Sequence, residues 1–323
     1  MIVVTGAAGL IGSAVVREFN RRGVHNLILV DHLGESEKWM NLRSLQFQDY
    51  YEKGVFLSLL KNNEISGIQH IVHLGADSST TTRNASYLIE NNYRYSIELA
   101  EYALPRGIRM VYASSAATYG DGNDGFDDSL DGLHLLRPLN AYGYSKHLFD
   151  QWLQSRGFPE QFVGLKYFNV YGPNEYHKGE MRSLVLKAFY QIQAEGRIRL
   201  FKSYHPDYKD GEQMRDFLYV EDAARMTVYF CMDGTGASGL FNCGSGVART
   251  WNELAAAIFK AMDKAPDIEY IDMPESLKAK YQYYTCAPID RLRSSGYSET
   301  ISSLEDAVAD YVTRYLLPGE LRA

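Results

Sequence analysis

Residues 2–12 read Ile2-Val3-Val4-Thr5-Gly6-Ala7-Ala8-Gly9-Leu10-Ile11-Gly12. The β-branched run before Gly6 predicts a strand, and apolar residues at helical spacing from Leu10 onward predict a helix. Glycines at 6, 9 and 12 let the chain turn sharply, approach a pyrophosphate and pack the helix against the sheet. The helix N-terminus would offer free N–H groups and a partial positive charge to phosphates. The stretch predicts a dinucleotide-binding turn, and the alternative is a glycine-rich structural turn.

A second apolar run, Leu27–Val30, ends at Asp31, 19 residues after Gly12. An acid at this place can accept hydrogen bonds from a ribose hydroxyl, which favours NAD. The 2′-phosphate of NADP would be repelled unless a cation offset the carboxylate. The candidate cations are His32, Lys38 and Lys53, and a solvated surface charge is the alternative for each lysine.

Strand and helix signals alternate through the first half of the chain. Strands are predicted at His70–Leu74, Arg109–Ala113 and Phe162–Tyr167, and helices at Val55–Leu60, Tyr87–Leu104 and Ala141–Ser155. This alternation predicts a Rossmann-type doubly wound parallel sheet, joined to a smaller mixed α/β substrate domain. We expect the dinucleotide domain to comprise residues 1–170 and 216–248, and the substrate domain residues 171–215 and 249–323.

The second half is less regular. Helices are predicted over residues 181–194, 221–232, 251–262 and 304–315, strands over 240–243 and 268–271, and a loop over 202–213.

Composition narrows the class of protein. The 323 residues are 46% hydrophobic and carry a formal net charge of −7, which disfavours nucleic acid as a partner. The three cysteines are widely spaced and suit neither a disulfide framework nor a metal site. This cysteine usage suits a reducing cytosol, and we also expect no membrane span and no secretory signal. The sequence therefore predicts a cytoplasmic protein, and the cysteine spacing predicts no metal.

A candidate proton-transfer site lies at the start of the Ala141 helix. Tyr142 and Lys146 are four residues apart and share a helix face. A nearby ammonium and the positive nicotinamide ring would stabilise the tyrosinate and lower a pKa that is ordinarily near 10. Ser114 and Ser115 follow the fourth strand at the carboxyl edge of the sheet, where ligands bind. A surface Tyr–Lys pair is the alternative.

Together these segments resemble the extended short-chain dehydrogenase/reductase family, whose members modify nucleotide-activated sugars. The matching segments are Val4–Gly6, Ala113–Gly120, Pro138–Tyr142, Tyr167–Pro173 and Arg215–Val220. The resemblance implies that Ser115, Tyr142 and Lys146 carry the redox step.

A narrower resemblance, to ADP-heptose 6-epimerases, runs nearly end to end. It is carried by the segments Gly75–Thr81, His177–Ser183 and Leu277–Gln282. It implies that bound NADP takes a hydride from C6″ of ADP-D-glycero-D-manno-heptose and returns it to the other face of the transient 6″-ketone. Because the two faces present the C6″ oxygen to different groups, the resemblance implies two bases, Tyr142 and Lys178. The alternative for Lys178 is a cofactor-binding or surface lysine.

The same resemblance supplies the remaining candidate site residues. It implies cofactor contacts from Gly6, Gly9, Leu10, Ile11, Gly12, Asp31, His32, Lys38, Lys53, Leu74, Gly75, Ala76, Asp77, Ser78, Asn91, Lys146, Val170 and Lys178. It implies substrate contacts from Ser115, Asn169, Glu180, Lys187, Phe201, Arg215 and Tyr281.

Arg215 has a reading independent of the resemblance, because a guanidinium can bind a pyrophosphate through two parallel hydrogen bonds. Its alternative is a surface ion pair with Asp216 or Glu212.

Several positions depart from the subfamily pattern. Glu180 replaces a small residue, which would place a carboxylate near a diphosphate, and Lys187 replaces a histidine. Asp77 replaces a cysteine, His32 replaces an asparagine, and the loop over 202–213 is longer. These departures fall in substrate and cofactor contacts and leave the redox residues unchanged.

Two other functions compete with the heptose epimerase. One is another nucleotide-sugar epimerase, such as a UDP-hexose 4-epimerase. The other is a catalytically idle dinucleotide-binding sensor or scaffold, which the intact Ser115, Tyr142 and Lys146 disfavour. A 4,6-dehydratase is disfavoured because Ala116 and Ala117 stand where those enzymes carry an Asp-Glu pair. The resemblance also implies a homo-oligomer, a pentamer in the subfamily.

Overall fold

The computed structural model describes residues 1–278 and 281–319. Its strands are β1 (Ile2–Thr5), β2 (Leu27–Asp31), β3 (Asp49–Glu52), β4 (His70–His73), β5 (Arg109–Ser115), β6 (Phe162–Tyr167), β7 (Asn169–Tyr171), β8 (Ile198–Phe201), β9 (Met214–Tyr219), β10 (Gly239–Cys243), β11 (Ala248–Thr250) and β12 (Ile268–Ile271). Its α-helices are α1 (Leu10–Arg21), α2 (Lys53–Lys61), α3 (Ala85–Leu88), α4 (Tyr95–Ala103), α5 (Ala141–Gln154), α6 (Leu184–Glu195), α7 (Val220–Met232), α8 (Trp251–Ala261), α9 (Glu275–Lys278), α10 (Asp290–Ser294) and α11 (Leu304–Tyr311).

One parallel sheet organises the molecule. Its seven strands lie in the order β10-β6-β5-β4-β1-β2-β3. The chain runs outward from β1 to β3 and then resumes at β4 on the other side of β1, so the order reverses between β1 and β4. Ligands bind in the crevice outside the carboxyl ends at such a reversal. The predicted doubly wound fold is confirmed.

Both faces of this sheet are covered by apolar packing. Val3 and Val4 are adjacent and fully buried, yet they belong to two different apolar clusters, because successive side chains of a strand point to opposite faces. Helices α1 and α7 pack on one face with Val4, and α2, α4 and α5 contribute to the cluster that contains Val3. Strands buried on both faces read as continuous apolar runs, which explains the pattern of Leu27–Val30.

The second half builds the smaller part of the fold. Strands β11, β9 and β7 form a mixed three-stranded sheet, in which β7 is parallel and β11 antiparallel to β9. Strands β12 and β8 form a parallel pair. Strand β10 leaves this half and joins β6 in the large sheet. The division into two interleaved domains and the boundaries of those domains stay predictions; residues 279–280 and 320–323 lie outside the described residues.

Most predicted elements are confirmed, with ends shifted by a few residues. Strand β3 (Asp-Tyr-Tyr-Glu) was not predicted, because its charged residues suit an edge strand only once β2 supplies a partner. The helix predicted over Tyr87–Leu104 contains a π-helical stretch at Ile89–Arg94. Pro105 lies in a 3-10 turn after α4, as expected of a residue that ends a helix.

Within the described ranges, no helix combines the length and the apolar character that crossing a membrane requires.

Candidate active site

A cavity of about 700 Å³ opens at the carboxyl edge of the large sheet, where the strand order reverses. Part of the lining comes from the ends of sheet strands and helix N-termini, and we call it the sheet wall. Another part comes from the segment 177–185 of the second half, and we call it the loop wall. Of the predicted site residues, the cavity is lined by Gly6, Gly9, Leu10, Ile11, Gly12, Asp31, Lys38, Leu74, Gly75, Ala76, Asp77, Ser78, Ser115, Tyr142, Lys146, Asn169, Val170 and Lys178.

The glycine turn leaves room for a ligand backbone. Gly6 has φ +69°, a region that favours glycine, and a Cβ there would lie 2.6 Å from the Gly75 nitrogen. A Cβ on Gly12 would overlap the Gly6 carbonyl oxygen. Helix α1 begins at Leu10 after Gly9, which has no side chain to cap it, so its first turn faces the cavity. The turn therefore fits the pyrophosphate of a dinucleotide.

Asp31 is held at the end of β2 by three hydrogen bonds. Its carboxylate accepts from the Ala8 N–H at 2.8 Å, the His32 N–H at 2.7 Å and the Lys38 ammonium at 2.7 Å. Lys38 therefore lies where it offsets the negative charge of Asp31. The backbone contact with Ala8 joins this acid to the glycine turn.

A smaller space of about 140 Å³ adjoins Asp31 and includes His32, Lys38, Lys53 and Asn91 in its lining. The Lys53 ammonium donates to Asn91 Oδ1 at 2.5 Å. His32 is exposed, and its Nδ1 lies 3.0 Å from Glu52 Oε2. The same space is lined by Tyr87 and Tyr95, which sequence reasoning missed because aromatic residues on a helix usually indicate core packing.

The predicted redox residues meet on the sheet wall. Asn140 caps α5 by accepting the Gly143 N–H at 2.8 Å, which places Tyr142 and Lys146 in the first turns of the helix. Ser115 ends β5, and its hydroxyl accepts the Ala117 N–H at 3.1 Å. Ser115, Tyr142 and Lys146 all line the cavity.

The environment of these groups perturbs their proton affinity. Burial raises the pKa of Tyr142, the Ser115 hydroxyl acts in the opposite direction, and the Asp77 carboxylate adds to the rise. Burial lowers the pKa of Lys146 to about 8, against the opposing effect of Asp150. The protein alone therefore holds Tyr142 protonated near neutral pH, and the expected lowering depends on the positive ring of a bound cofactor.

Asn92 was missed by sequence reasoning, although it links two parts of the sheet wall. It is fully buried within the π-helical stretch, where its side chain accepts the Asp77 N–H and donates to the Asp77 carbonyl, both at 2.9 Å. It also donates to the Ser145 hydroxyl at 3.0 Å. Asn92 thereby fixes the segment after β4 against helix α5. The adjacent pair Asn91-Asn92 gave no local signal of this contact.

Lys178 reaches the cavity from the loop wall. It lies in the 3-10 turn Tyr176–Met181, which is interrupted by Gly179 at φ +53°. Glu175 anchors the turn by accepting hydrogen bonds from the backbone N–H and hydroxyl of Ser183 and from the Tyr311 hydroxyl. Burial lowers the pKa of Lys178, and the Glu175 carboxylate opposes that effect.

A buried asparagine connects the segment just before the loop wall to the glycine turn. Asn41 Nδ2 donates to the Ala8 carbonyl at 2.8 Å and to the Asn174 carbonyl at 3.1 Å. Sequence reasoning missed it because its partners are 33 and 133 residues away.

The predicted substrate residues divide into two groups. Asn169 lines the cavity. Glu180 and Lys187 instead form an ion pair of 3.5 Å, in which the Glu180 side chain is 95% exposed. Phe201 is half-buried at the end of β8. Two departures from the subfamily pattern therefore neutralise each other at the rim.

Arg215 is buried, and its described partners include neither Asp216 nor Glu212, so the predicted alternative of a surface ion pair with one of them is wrong. The guanidinium donates to the Met214 and Gln282 carbonyls and lies 5.1 Å from the Tyr281 ring centroid. Asp216 accepts instead from the N–H groups of Ser245, Gly246 and Ala287, so its carboxylate is already satisfied.

No cluster of three or more metal-ligating side chains occurs in the part of the chain that the structure describes.

The fold and site define a class of protein. The profile of the NAD dependent epimerase/dehydratase family matches residues 2–244, and the chain belongs to this family. The chain is 50% identical to "ADP-L-glycero-D-manno-heptose-6-epimerase" of Nitratidesulfovibrio vulgaris (strain DP4) over 99% of each chain. It is 43% identical to the protein of the same name from Fusobacterium nucleatum over 98% of each chain. The crystal structure of Helicobacter pylori ADP-L-glycero-D-manno-heptose-6-epimerase superposes with a TM-score of 0.79 at 26% identity, covering 97% of this chain and 95% of that one.

Proposed function

We propose that the protein interconverts ADP-D-glycero-D-manno-heptose and ADP-L-glycero-D-manno-heptose through a transient 6″-ketone of the sugar. The observation that carries the proposal is one cavity with a candidate proton acceptor on each wall, Tyr142 and Lys178. An epimerase must deprotonate a carbinol whose oxygen takes two positions, so acceptors on two separate parts of the lining suit inversion of a centre. The names of the relatives and their full-length similarity support the heptose as substrate.

We assign the cofactor as NADP, held tightly enough to be reused in each turnover. The cofactor supplies a hydride acceptor that later returns the hydride. Leu10, Ile11 and Gly12 would hold its pyrophosphate, because the first turn of α1 faces the cavity. Lys38 and Lys53 would face a 2′-phosphate, and the 2.7 Å contact between Lys38 and Asp31 offsets the acid that otherwise favours NAD.

On the sheet wall, Tyr142 accepts the proton of the sugar hydroxyl, and Ser115 hydrogen-bonds the oxygen whose charge changes. Lys146, whose pKa is about 8, is protonated at neutral pH and stabilises the tyrosinate. The Ser115 hydroxyl acts in the same direction by lowering the pKa of Tyr142.

On the loop wall, Lys178 is the acceptor for the epimer of opposite configuration. Burial already lowers the pKa of Lys178, which brings an amine closer to a useful base at neutral pH. Glu175 holds the turn in place through Ser183 and Tyr311.

The nucleotide part of the substrate is assigned to residues of the second half. The uncharged Tyr281 ring lies beneath the Arg215 guanidinium, and the Tyr281 hydroxyl accepts a hydrogen bond from Trp251 Nε1 at 2.9 Å. Arg215 has no carboxylate among its described partners, so a diphosphate would supply the missing negative charge. Asn169 and Phe201 complete this proposed pocket, and Glu180 and Lys187 lie at its rim.

The wider setting follows from the same proposal. The product would serve synthesis of the lipopolysaccharide core, in the cytoplasm, by a homo-oligomer that is a pentamer in the subfamily. Analytical ultracentrifugation of the purified chain tests the oligomer, and a monomer at micromolar concentration would contradict it.

One incubation tests the reaction and the cofactor together. The protein, without added cofactor, is mixed with ADP-D-glycero-D-manno-heptose, and mass spectrometry and NMR follow the sugar and the cofactor released by denaturation. We expect the L-glycero epimer and NADP. Conversion of UDP-galactose with no heptose turnover would favour a hexose 4-epimerase, and release of NAD would mean that Asp31 outweighs Lys38 and Lys53. The Tyr142→Phe variant, incubated in parallel, controls for contaminating epimerase.

A further inference from the structure

A buried ion pair lies directly behind the redox residues of the sheet wall. Asp150 is 0% exposed and Lys166 is 1% exposed, and Lys166 Nζ lies 3.3 Å from Asp150 Oδ2. Asp150 is on α5, one helical turn after Lys146, so both side chains project from the same face of the helix. Lys166 is on β6, where it pairs in register with Ser114 of β5. Isolated buried charges are costly, so such a pair calls for an explanation.

The carboxylate of Asp150 is tied to the strand that delivers Ser115. It accepts hydrogen bonds from the Tyr112 hydroxyl at 2.8 Å and from the Ser114 hydroxyl at 2.7 Å. Both donors belong to β5, whose last residue is Ser115. The pair therefore connects helix α5, which carries Tyr142 and Lys146, with the end of β5.

The ammonium of Lys166 is tied to the turn that follows Ser115. It donates to the Thr118 hydroxyl at 2.5 Å and lies 4.6 Å from the centroid of the Tyr119 ring. Thr118 in turn donates to the Ser115 carbonyl at 2.8 Å. Lys166 thus joins Asp150 to the turn that follows Ser115.

The side chains of Lys146 and Lys166 both lie near one carboxylate, that of Asp150. Asp150 favours the protonated form of both Lys146 and Lys166, and it also forms a hydrogen bond with Lys166. Lys146 in turn disfavours protonation of His73, which faces it from β4 and stays neutral because burial lowers its pKa to about 3. Asp128 also acts on Lys166, and His147 feels both members of the pair. The titratable groups that face this region are Tyr112, Tyr119, Asp128, His147 and His73, with Asp77 facing Tyr142.

We propose that Asp150 and Lys166 are positioning residues that set the charge of Lys146, with Asp150 holding the ammonium protonated and Lys166 limiting that effect. Through Lys146 the pair governs how readily Tyr142 gives up its proton. The role of Lys146 rests on the proposed function. The pair itself contacts neither substrate nor cofactor; it acts from behind the wall.

The proposal makes two substitutions act in opposite directions. Asp150→Asn removes the anion and keeps one of the two oxygens that accept from Tyr112 and Ser114, so Lys146 faces the Lys166 cation alone and should lose its proton about one pH unit lower. Lys166→Met removes the competing cation and leaves Asp150 to Lys146, so Lys146 should lose its proton about one pH unit higher. If the pair had only a structural role, the two substitutions would not shift the deprotonation of Lys146 in opposite directions.

The test reads Lys146 directly and needs no sugar substrate. The full-length protein is labelled with ¹³Cε-lysine, and the Lys146 signal is assigned by its loss in Lys146→Arg. A pH titration of wild type, Asp150→Asn and Lys166→Met then gives the midpoint of Lys146 in each. Equal midpoints in folded variants, or shifts of the same sign, would overturn the proposal.

Two further variants keep the result interpretable. The double variant Asp150→Asn/Lys166→Met removes both charges, and its Lys146 midpoint should return to within about half a pH unit of wild type. In Asp150→Asn the buried Lys166 ammonium loses its carboxylate partner, which could prevent folding. The double variant has no such ammonium and can be measured in that case. Asp222→Asn is the matched control, because Asp222 is equally buried and paired with Arg225 but does not act on Lys146. A shift in this control equal to that of Asp150→Asn would count against a specific effect.

The enzyme assay then separates the two hypotheses. If the heptose is the substrate, the alkaline limb of the pH–rate profile should shift to lower pH in Asp150→Asn and to higher pH in Lys166→Met. If the wild type does not turn over the heptose, the proposed function fails while the lysine titration still decides the role of the pair.

Discussion

Ser115, Tyr142 and Lys146 reach the cavity from the ends of a regular strand and helix, whereas Lys178 reaches it from one irregular turn. Behind the sheet wall lie fully buried partners such as Asp150 and Asn92. The loop wall instead includes an exposed carboxylate, that of Glu180. A site built on regular elements holds the atoms that perform chemistry, and an irregular turn can change with the substrate while the chemistry stays the same.

The strongest test of this comparison removes one base from each wall. Tyr142→Phe should slow oxidation of one heptose epimer by about 10²–10⁴-fold, because a positioned base contributes that much. Lys178→Met should slow the other epimer, and its effect should be smaller because the turn tolerates rearrangement. Single-turnover reduction of the bound cofactor, followed at 340 nm with each epimer, measures both. Equal losses for both epimers in each variant would remove the division of labour between the walls.

A second prediction concerns the rigidity of the sheet wall. Gly12→Ala places a Cβ against the Gly6 carbonyl, backbone against backbone, and should lower the free energy of unfolding by about 1–3 kcal/mol. Cofactor should be lost during purification as well. Gly54→Ala is the matched control, since it is also a helical glycine but has open space around its Cβ, and it should stabilise by about 0.5–1 kcal/mol. Urea unfolding measures the free energy of unfolding of both variants. Equal changes in the two would show that the backbone around Gly12 accommodates a Cβ at little cost.

The third prediction concerns how the free energy of unfolding depends on pH through His73, which is buried behind the sheet wall. Burial, reinforced by Lys146, lowers the pKa of His73 to about 3, and its ring bridges Thr5 and Ser96 at 2.6 and 2.8 Å. An unfolded histidine titrates near 6.5, so below that pH the unfolded state binds a proton that the native state refuses. Stability should therefore fall by about 1.4 kcal/mol per pH unit from pH 6.5 toward 3, and be constant with respect to this group above 6.5.

His73→Gln should remove that part of the slope. Urea unfolding at pH 7, 6 and 5 measures the slope, with His205→Gln as the control because His205 is 41% exposed in the second half. An unchanged slope in His73→Gln would mean that His73 is protonated in the native protein.

The smallest effect is expected at the rim of the loop wall. Glu180→Gln should change the free energy of unfolding by less than about 1 kcal/mol, because the ion pair with Lys187 is exposed. It should lower KM for the nucleotide sugar up to about 5-fold, since one solvated unit charge near a diphosphate is worth about 1 kcal/mol. Glu195→Gln, on the same helix as Lys187 and paired with Arg199, should leave KM unchanged. Steady-state kinetics of the wild type, Glu180→Gln and Glu195→Gln measure these effects. A fall in kcat in Glu180→Gln would contradict a role confined to substrate binding.

Sequence predicted the parts of the site that depend on local geometry. The spacing of Gly6 to Gly12 fixes one turn, and the spacing of Tyr142 and Lys146 fixes one helix face, so neither needs a distant partner. Because β1 and β2 are adjacent in the sheet, Asp31 reaches the glycine turn.

The remaining features depend on contacts between distant parts of the chain. Asn92 is useful only where a π-helical stretch turns it toward Asp77 and Ser145. Glu180 and Lys187 neutralise each other only because a turn folds back onto α6. One of the two carbonyl partners of Arg215 is 67 residues away, at Gln282. Identity and spacing along the chain carry no information about such partners.

The place of β10 in the large sheet has a consequence for synthesis. Strand β6 is fully buried between β5 and β10, yet β10 ends at Cys243 of 323 residues. A ribosome must therefore translate 243 residues before the backbone of β6 acquires its second neighbour. During that interval the nascent chain presents an unpaired apolar edge, a template for joining another unfinished copy. Gene fragments that stop before residue 239 should collect in inclusion bodies, and chaperones that shield nascent chains should raise the yield of the whole.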